Sequence, residues 1–262
     1  MKRLNKRAAV AVPEVRAGAI IHEHTLRNGL RILLAERHSD PVVKVIVFYG
    51  VGSRSETDQE AGMSHFLEHM MFKGSRKYAK GEVDTLTTML GGQNNAFTGN
   101  DHTAYWMRFA SDRWETALEI EADRMQGLTL DPAEFNSERD VVLEELAMGE
   151  DEAWGVLAKR VESTLFGRHP YGRPIIGYRE SLLAMEPADM HAFHARYYHP
   201  GNATLVIGGD FDPKQALRLI RKHFGKIEPG PKDAAQDAAC RCPIPAAPRC
   251  ACVCAGMIPV AA

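Results

Sequence analysis

The sequence predicts an α+β domain, a mostly antiparallel sheet covered by helices. Three observations lead there. Apolar, β-branched runs come in neighbouring pairs, segments of helical spacing interrupt those pairs rather than alternating with single strands, and the pattern stops at about residue 230. Leu30 to Leu34 and Val42 to Val51 are the first strand runs, joined by the turn-rich Glu36-Arg37-His38-Ser39-Asp40-Pro41, and read as a hairpin. Ala61 to Phe72 has helical spacing and ends before Gly74, and a second helix from Val83 to Leu90 closes at Gly91-Gly92. Asn95 to Thr98 and Thr103 to Ala110 form another strand pair. Trp114 to Met125 is helical. Asp131-Pro132 opens a long helix, with Asp as its cap and Pro in its first turn. The strand Ala203 to Gly208 lies between the helices Pro187 to Tyr197 and Pro213 to Phe224.

Composition narrows the function. The 262 residues are 45% hydrophobic and 25% charged, as in an ordinary globular protein. With 32 Lys+Arg against 34 Asp+Glu there is no basic block, and no nucleic-acid partner is expected. No apolar run approaches the ~20 residues of a membrane span. Residues 1–18 read as a flexible basic leader on a cytoplasmic protein, because Pro13 and Glu14 cut the apolar run too short for an export signal. The alternative is a periplasmic or exported protein, with that leader as part of its signal. Residues 19–230 form the domain. Residues 231–262 hold ten Ala, five Pro and all five Cys, without an aromatic residue or a usable period, and read as a disordered or aberrant tail. The domain itself carries no cysteine, so it is expected to have no disulfide.

The chemistry begins in Ser64-His65-Phe66-Leu67-Glu68-His69-Met70. His65 and His69 are four residues apart, on one helix face, where both imidazoles can reach one Zn²⁺. Glu68 flanks the same face, placed to serve as a base rather than a ligand. Phe66, Leu67 and Met70 are expected to be buried and to hold the helix rigid. In the long helix Glu138 and Glu145 are seven apart and nearly eclipse each other, beside Phe135, Val141 and Val142, which should face the core. Glu144 points about 100° away. Two carboxylates on an apolar stripe need a partner or a metal. Their ordinary alternative is a pair of salt bridges. Taken with the two histidines, the set His65, His69 and Glu145 matches the open three-ligand arrangement of catalytic zinc, one ion per chain.

With these residues in view, the sequence resembles the pitrilysin/insulinase family of zinc peptidases, the inverzincins, over about residues 20–230. The inverted motif His65-x-x-Glu68-His69 stands in a family-like context from Gly62 to Gly74, and the distal glutamate ligand, 76 residues after the second histidine, falls on Glu145. The resemblance implies a supporting role for Glu138 and a substrate-carrying edge strand at Asn95, Ala96, Phe97 and Thr98. It implies a metalloendopeptidase acting on peptides or unfolded proteins, with Glu68 taking the proton of the attacking water and passing it to the leaving amine. Members usually pair two such domains, in one chain or as two subunits. The pattern here ends near Gly230, so a second peptidase-type domain or subunit is expected. Two other readings are an orphan half inactive alone and a non-catalytic partner subunit.

Overall fold

The computed structural model describes residues 20–231. The leader, and the tail beyond its first residue, lie outside the described residues. Six strands make one sheet: β1 (Ile20–Thr25), β2 (Arg31–Glu36), β3 (Val42–Tyr49), β4 (Gln93–Thr98), β5 (Thr103–Ala110) and β6 (Ala203–Gly209). Their order is β1-β2-β6-β3-β5-β4, and every pair is antiparallel except β2 with β6. The mostly antiparallel α+β architecture expected from the sequence is therefore what forms.

One pairing differs. β2 and β3 are not a hairpin, because β6 lies between them. A short connection permits pairing but does not compel it. A central slot hydrogen-bonds both edges of a strand, and β6, with Ala203, Leu205 and Ile207 buried, fills it. Its end is stitched to both neighbours by Arg37 N–H to the Gly209 carbonyl (2.8 Å) and Asp210 N–H to the Val42 carbonyl (3.0 Å). The closing strand thus arrives from the far end of the domain, which local sequence cannot reveal.

The helices are α1 (Met63–Met70), α2 (Glu82–Met89), α3 (Glu115–Gly127), α4 (Pro132–Asp151), α5 (Ala153–Phe166), α6 (Arg179–Ala184), α7 (Pro187–Tyr197) and α8 (Pro213–Phe224). The sequence reading names no element at β1, α5 or α6. β1 is short and half polar, and Gly149, Gly155 and Gly167 break the pattern around α5. Asp131 caps α4 as expected, its carboxylate accepting from the Ala133 and Glu134 N–H groups.

Burial alternates along β3, with Val43, Val45, Val47 and Tyr49 inside. α1 buries Met63, Phe66, Leu67 and Met70, and the Phe66 ring lies 4.7 Å from that of Phe135 on α4. That contact fixes the distance between the two helices that carry the candidate ligands. Of the α4 residues expected to face the core, Phe135 and Val142 do, whereas Val141 is 48% exposed. At ~100° per residue Val141 falls on the flank of the stripe, beyond the reach of α1. The core also holds one charged pair. Arg124 and Glu121 on α3 are both buried and hydrogen-bonded to each other, and the guanidinium lies over the Tyr105 and Phe72 rings. Pairing offsets part of the cost of burying these two charges.

Candidate metal centre

The start of α1 is built by residues far from it in sequence. Gly62 adopts φ 94°, and a Cβ there would stand 2.5 Å from the Ile176 carbonyl oxygen. Gly177, at φ 83°, is pressed as closely against Ala61. Only glycine fits both positions. The orphan N–H groups of the helix are met by Glu56, whose carboxylate accepts from Gly62 N–H (3.0 Å) and Ser64 N–H (2.7 Å). Burial pushes the Glu56 carboxyl up, against the pull of those hydrogen bonds. Arg173 donates to the Ser53 and Glu56 carbonyls and to Asp58, clamping the loop that leads into the helix. The sequence reading missed Glu56 and Arg173. Neither stands at a helical or ligand spacing from the histidines, so nothing local marks them.

On that scaffold the His65 and His69 rings lie 4.7 Å apart. Glu145 reaches across from α4 with one oxygen toward each: 3.7 Å to His65 Nε2 and 3.5 Å to His69 Nε2. One donor atom from each of the three residues lies within 4.8 Å of the others. A tetrahedral zinc with bonds near 2.1 Å needs its donors about 3.4 Å apart, so this set fits the ion. Burial, followed by the neighbouring His69, lowers the His65 pKa to about 4. That keeps it neutral, the form in which imidazole ligates. Glu145 is half exposed rather than lodged in the apolar stripe.

Glu138 takes a different place. It is buried and turns away from the Nε2 atoms, accepting instead from His69 Nδ1 at 2.9 Å and from Lys73 Nζ at 2.5 Å. Burial alone would raise its pKa, but the hydrogen bonds from Lys73 and His69 outweigh this and hold the carboxyl below its usual range. A carboxylate on Nδ1 leaves the Nε2 lone pair free for a metal.

Glu68 accepts a hydrogen bond from the hydroxyl of Thr98, at the end of β4. Burial raises its pKa, partly opposed by that hydrogen bond and by His69. Of the strand residues singled out from the sequence, Thr98 thus touches Glu68. Asn95 and Phe97 are exposed, with Ala96 partly covered, on the outermost strand of the sheet. A depression of about 480 Å³ lined by Thr25, Arg31, Phe48, His102, Asn202 and Thr204 shares no residue with this cluster.

The family model described as Insulinase (Peptidase family M16) matches residues 31–179, more than half of the chain. The chain belongs to that family. A second model, described as Peptidase M16 inactive domain, matches residues 184–253. The junction falls inside one fold, since β6 from the second segment completes the sheet of the first. An uncharacterised zinc protease of Mycobacterium leprae is 36% identical over 225 residues, covering 85% of this chain and 51% of that one. A protease from Helicobacter pylori superposes with a TM-score of 0.78 at 32% identity, over 80% of this chain and 51% of that one. The periplasmic protease PqqL from Escherichia coli gives 0.76 at 26%, over 80% and 24%. The chain spans about half the length of the curated relatives it matches. No helix among the described residues is long and apolar enough to cross a membrane.

Proposed function

We propose that this M16 chain is the metal-holding half of a zinc-dependent endopeptidase that cleaves peptides or unfolded proteins. The observation that carries the reading is the convergence of one donor atom each from His65, His69 and Glu145 within 4.8 Å of one another, with Glu68 beside them. When bound, zinc supplies a Lewis acid that polarises the scissile carbonyl and acidifies water. The remaining work falls to the chain. Glu68 accepts the proton of the attacking water and returns it to the leaving amine, a task its raised pKa suits. Glu138 holds His69 in the tautomer whose Nε2 faces the metal. The substrate backbone adds as a further strand along β4 at Asn95 to Thr98, which gives main-chain binding and weak sequence preference. Thr98 then joins strand and base, so a peptide paired with β4 is delivered next to Glu68.

Substrate misplacement alone costs ~100-fold in rate, so a second peptidase-type domain or subunit is assigned the facing wall. The cytoplasm is the proposed location. Native mass spectrometry of the purified chain reads metal and assembly together, and one zinc per chain is the expected result. Glu68→Gln is expected to keep that zinc and abolish hydrolysis once the partner half is supplied. A chain that binds no zinc, or a Glu68→Gln variant that loses it, removes the reading. Robust turnover by a demonstrated monomer removes the need for a second half.

A further inference from the structure

The two candidate histidines are not held alike. His65 Nδ1 is buried and has no hydrogen-bond partner among the described residues. His69 Nδ1 is held by Glu138, and Glu138 in turn by Lys73. Lys73 reaches this position because α1 ends just before it. Its N–H donates to the Met70 carbonyl at 3.0 Å, and Gly74, at φ 133°, turns the chain away. The side chain is left beside the helix end it has just completed. Its ammonium meets the second oxygen of a carboxylate that is only 8% exposed and therefore poorly served by water.

We propose that Lys73 is a positioning residue for His69, acting through Glu138. A carboxylate with one oxygen on an ammonium and the other on an imidazole N–H cannot rotate without losing a charge-assisted hydrogen bond. Lys73 therefore fixes the Glu138 plane, and Glu138 fixes both the tautomer and the tilt of His69. Without the ammonium, a buried carboxylate is left with a single partner and is free to turn toward water. His69 then loses the acceptor that distinguishes its two nitrogens. This rests on the reading of His65, His69 and Glu145 as zinc ligands, but the grip on His69 exists without the metal and can be measured without it.

The experiment uses the full chain with Lys73→Met, Lys73→Arg, Glu138→Gln and the Lys73→Met/Glu138→Gln double variant. Zinc affinity is measured by competition with a chromophoric chelator. The His69 tautomer is read by ¹⁵N imidazole spectra of the metal-free chain near pH 8. Lys73→Met is expected to weaken zinc binding ~10–100-fold, the range seen for partners behind a ligand, and to mix the His69 tautomers. Lys73→Arg should recover most of both. The double variant should bind zinc about as weakly as the worse single one, because both act on one path. Zinc affinity within twofold of wild type and an unmixed tautomer in a folded Lys73→Met would overturn the proposal, as would fully additive losses in the double variant. If Lys73→Met fails to fold, Lys73→Gln takes its place. A wild-type chain that binds no zinc overturns the ligand reading instead, and the tautomer spectra then decide on Lys73 alone.

Discussion

α4 and α5 are consecutive helices of similar chemistry and opposite fate. α4 buries Phe135, Glu138, Val142, Leu143 and Leu146, and presents Glu145 to the two histidines. α5 begins two residues after α4 ends and buries nothing, with Trp154 at 76%, Leu157 at 50%, Val161 at 53% and Leu165 at 74% exposed. An apolar stripe at helical spacing therefore does not by itself mean a core face. What makes one is an opposing surface, and α1 provides it for α4 through the Phe66–Phe135 contact. α5 meets the end of α4 and the turn at Pro170–Gly172, but among the described residues neither covers its apolar stripe. The candidate metal centre is thus built on the packed side of this divide.

The largest effect should come from breaking the packed side. Phe135→Ala removes a fully buried ring between α4 and α1, and such deletions cost about 3–5 kcal/mol. For a domain of this size that corresponds to a fall in Tm of roughly 10 °C. Zinc affinity should fall with it, because the ligand helices lose their spacer. Thermal melts of the metal-free chain, with zinc titrations beside them, check both effects. An unchanged Tm would mean that the α1–α4 contact does not hold the site.

Next in size is a contrast within α4 itself. Glu145→Gln replaces a carboxylate facing both Nε2 atoms and should weaken zinc by more than ~100-fold, since even partners behind a ligand are worth ~10–100-fold. Glu144→Gln, on an exposed neighbour one position away, should leave the affinity within a factor of two. Equal losses would show that helical register does not select the ligand.

These two pairs also show what the sequence could tell. Four-residue and seven-residue spacings are local geometry, so His65 with His69 and Glu138 with Glu145 could be read directly as facing sets. The same geometry could not tell the two glutamates apart. Glu138 lies behind a histidine and Glu145 in front of both, because the α1–α4 crossing decides which one is covered. Val141, on the flank of the same stripe, lies beyond the surface that α1 covers. Contacts that cross the chain carry no periodic signal. The Glu56 cap, the Arg173 clamp, the Lys73 tether and the insertion of β6 between β2 and β3 all belong to that class. α5 is obscured by Gly149, Gly155 and Gly167, which interrupt the pattern around it although Trp154, Leu157, Val161 and Leu165 keep helical spacing.

Acid should loosen the packed layer in a defined window. His194 on α7 is partly buried, its Nε2 facing the Arg124 carbonyl at 3.3 Å, and burial lowers its pKa to about 4. In the unfolded chain it titrates near 6.5. The unfolded state therefore binds the proton first. The stability that His194 contributes is complete above pH ~6.5 and is lost as pH falls toward 4, by roughly 1–3 kcal/mol. Urea melts of the zinc-free chain at pH 7.5, 5.5 and 4.5 should show this slope, and His194→Gln should make it shallower, leaving the share that His65 contributes over the same window. An identical slope in the variant would assign the acid sensitivity to other groups.

The smallest effect is expected on α5, and it tests the contrast most directly. A side chain that meets only water in the folded state loses nothing when trimmed, because its surroundings are nearly the same in the unfolded chain. Leu165→Ala and Trp154→Ala should each change stability by less than ~0.5 kcal/mol. Alanine's higher helix propensity could even tip the sign toward stabilisation. Trp154 offers a second readout. Being 76% exposed where Trp114 is only 5% exposed and Trp106 is partly covered, it should supply most of the quenchable tryptophan fluorescence in acrylamide, and Trp154→Ala should remove that share. A loss above 1 kcal/mol from either substitution, or a Trp154 shielded from quencher, would show that this stripe is covered in solution. The divide between α4 and α5 would then lie not between packed and open helices but between two packed ones.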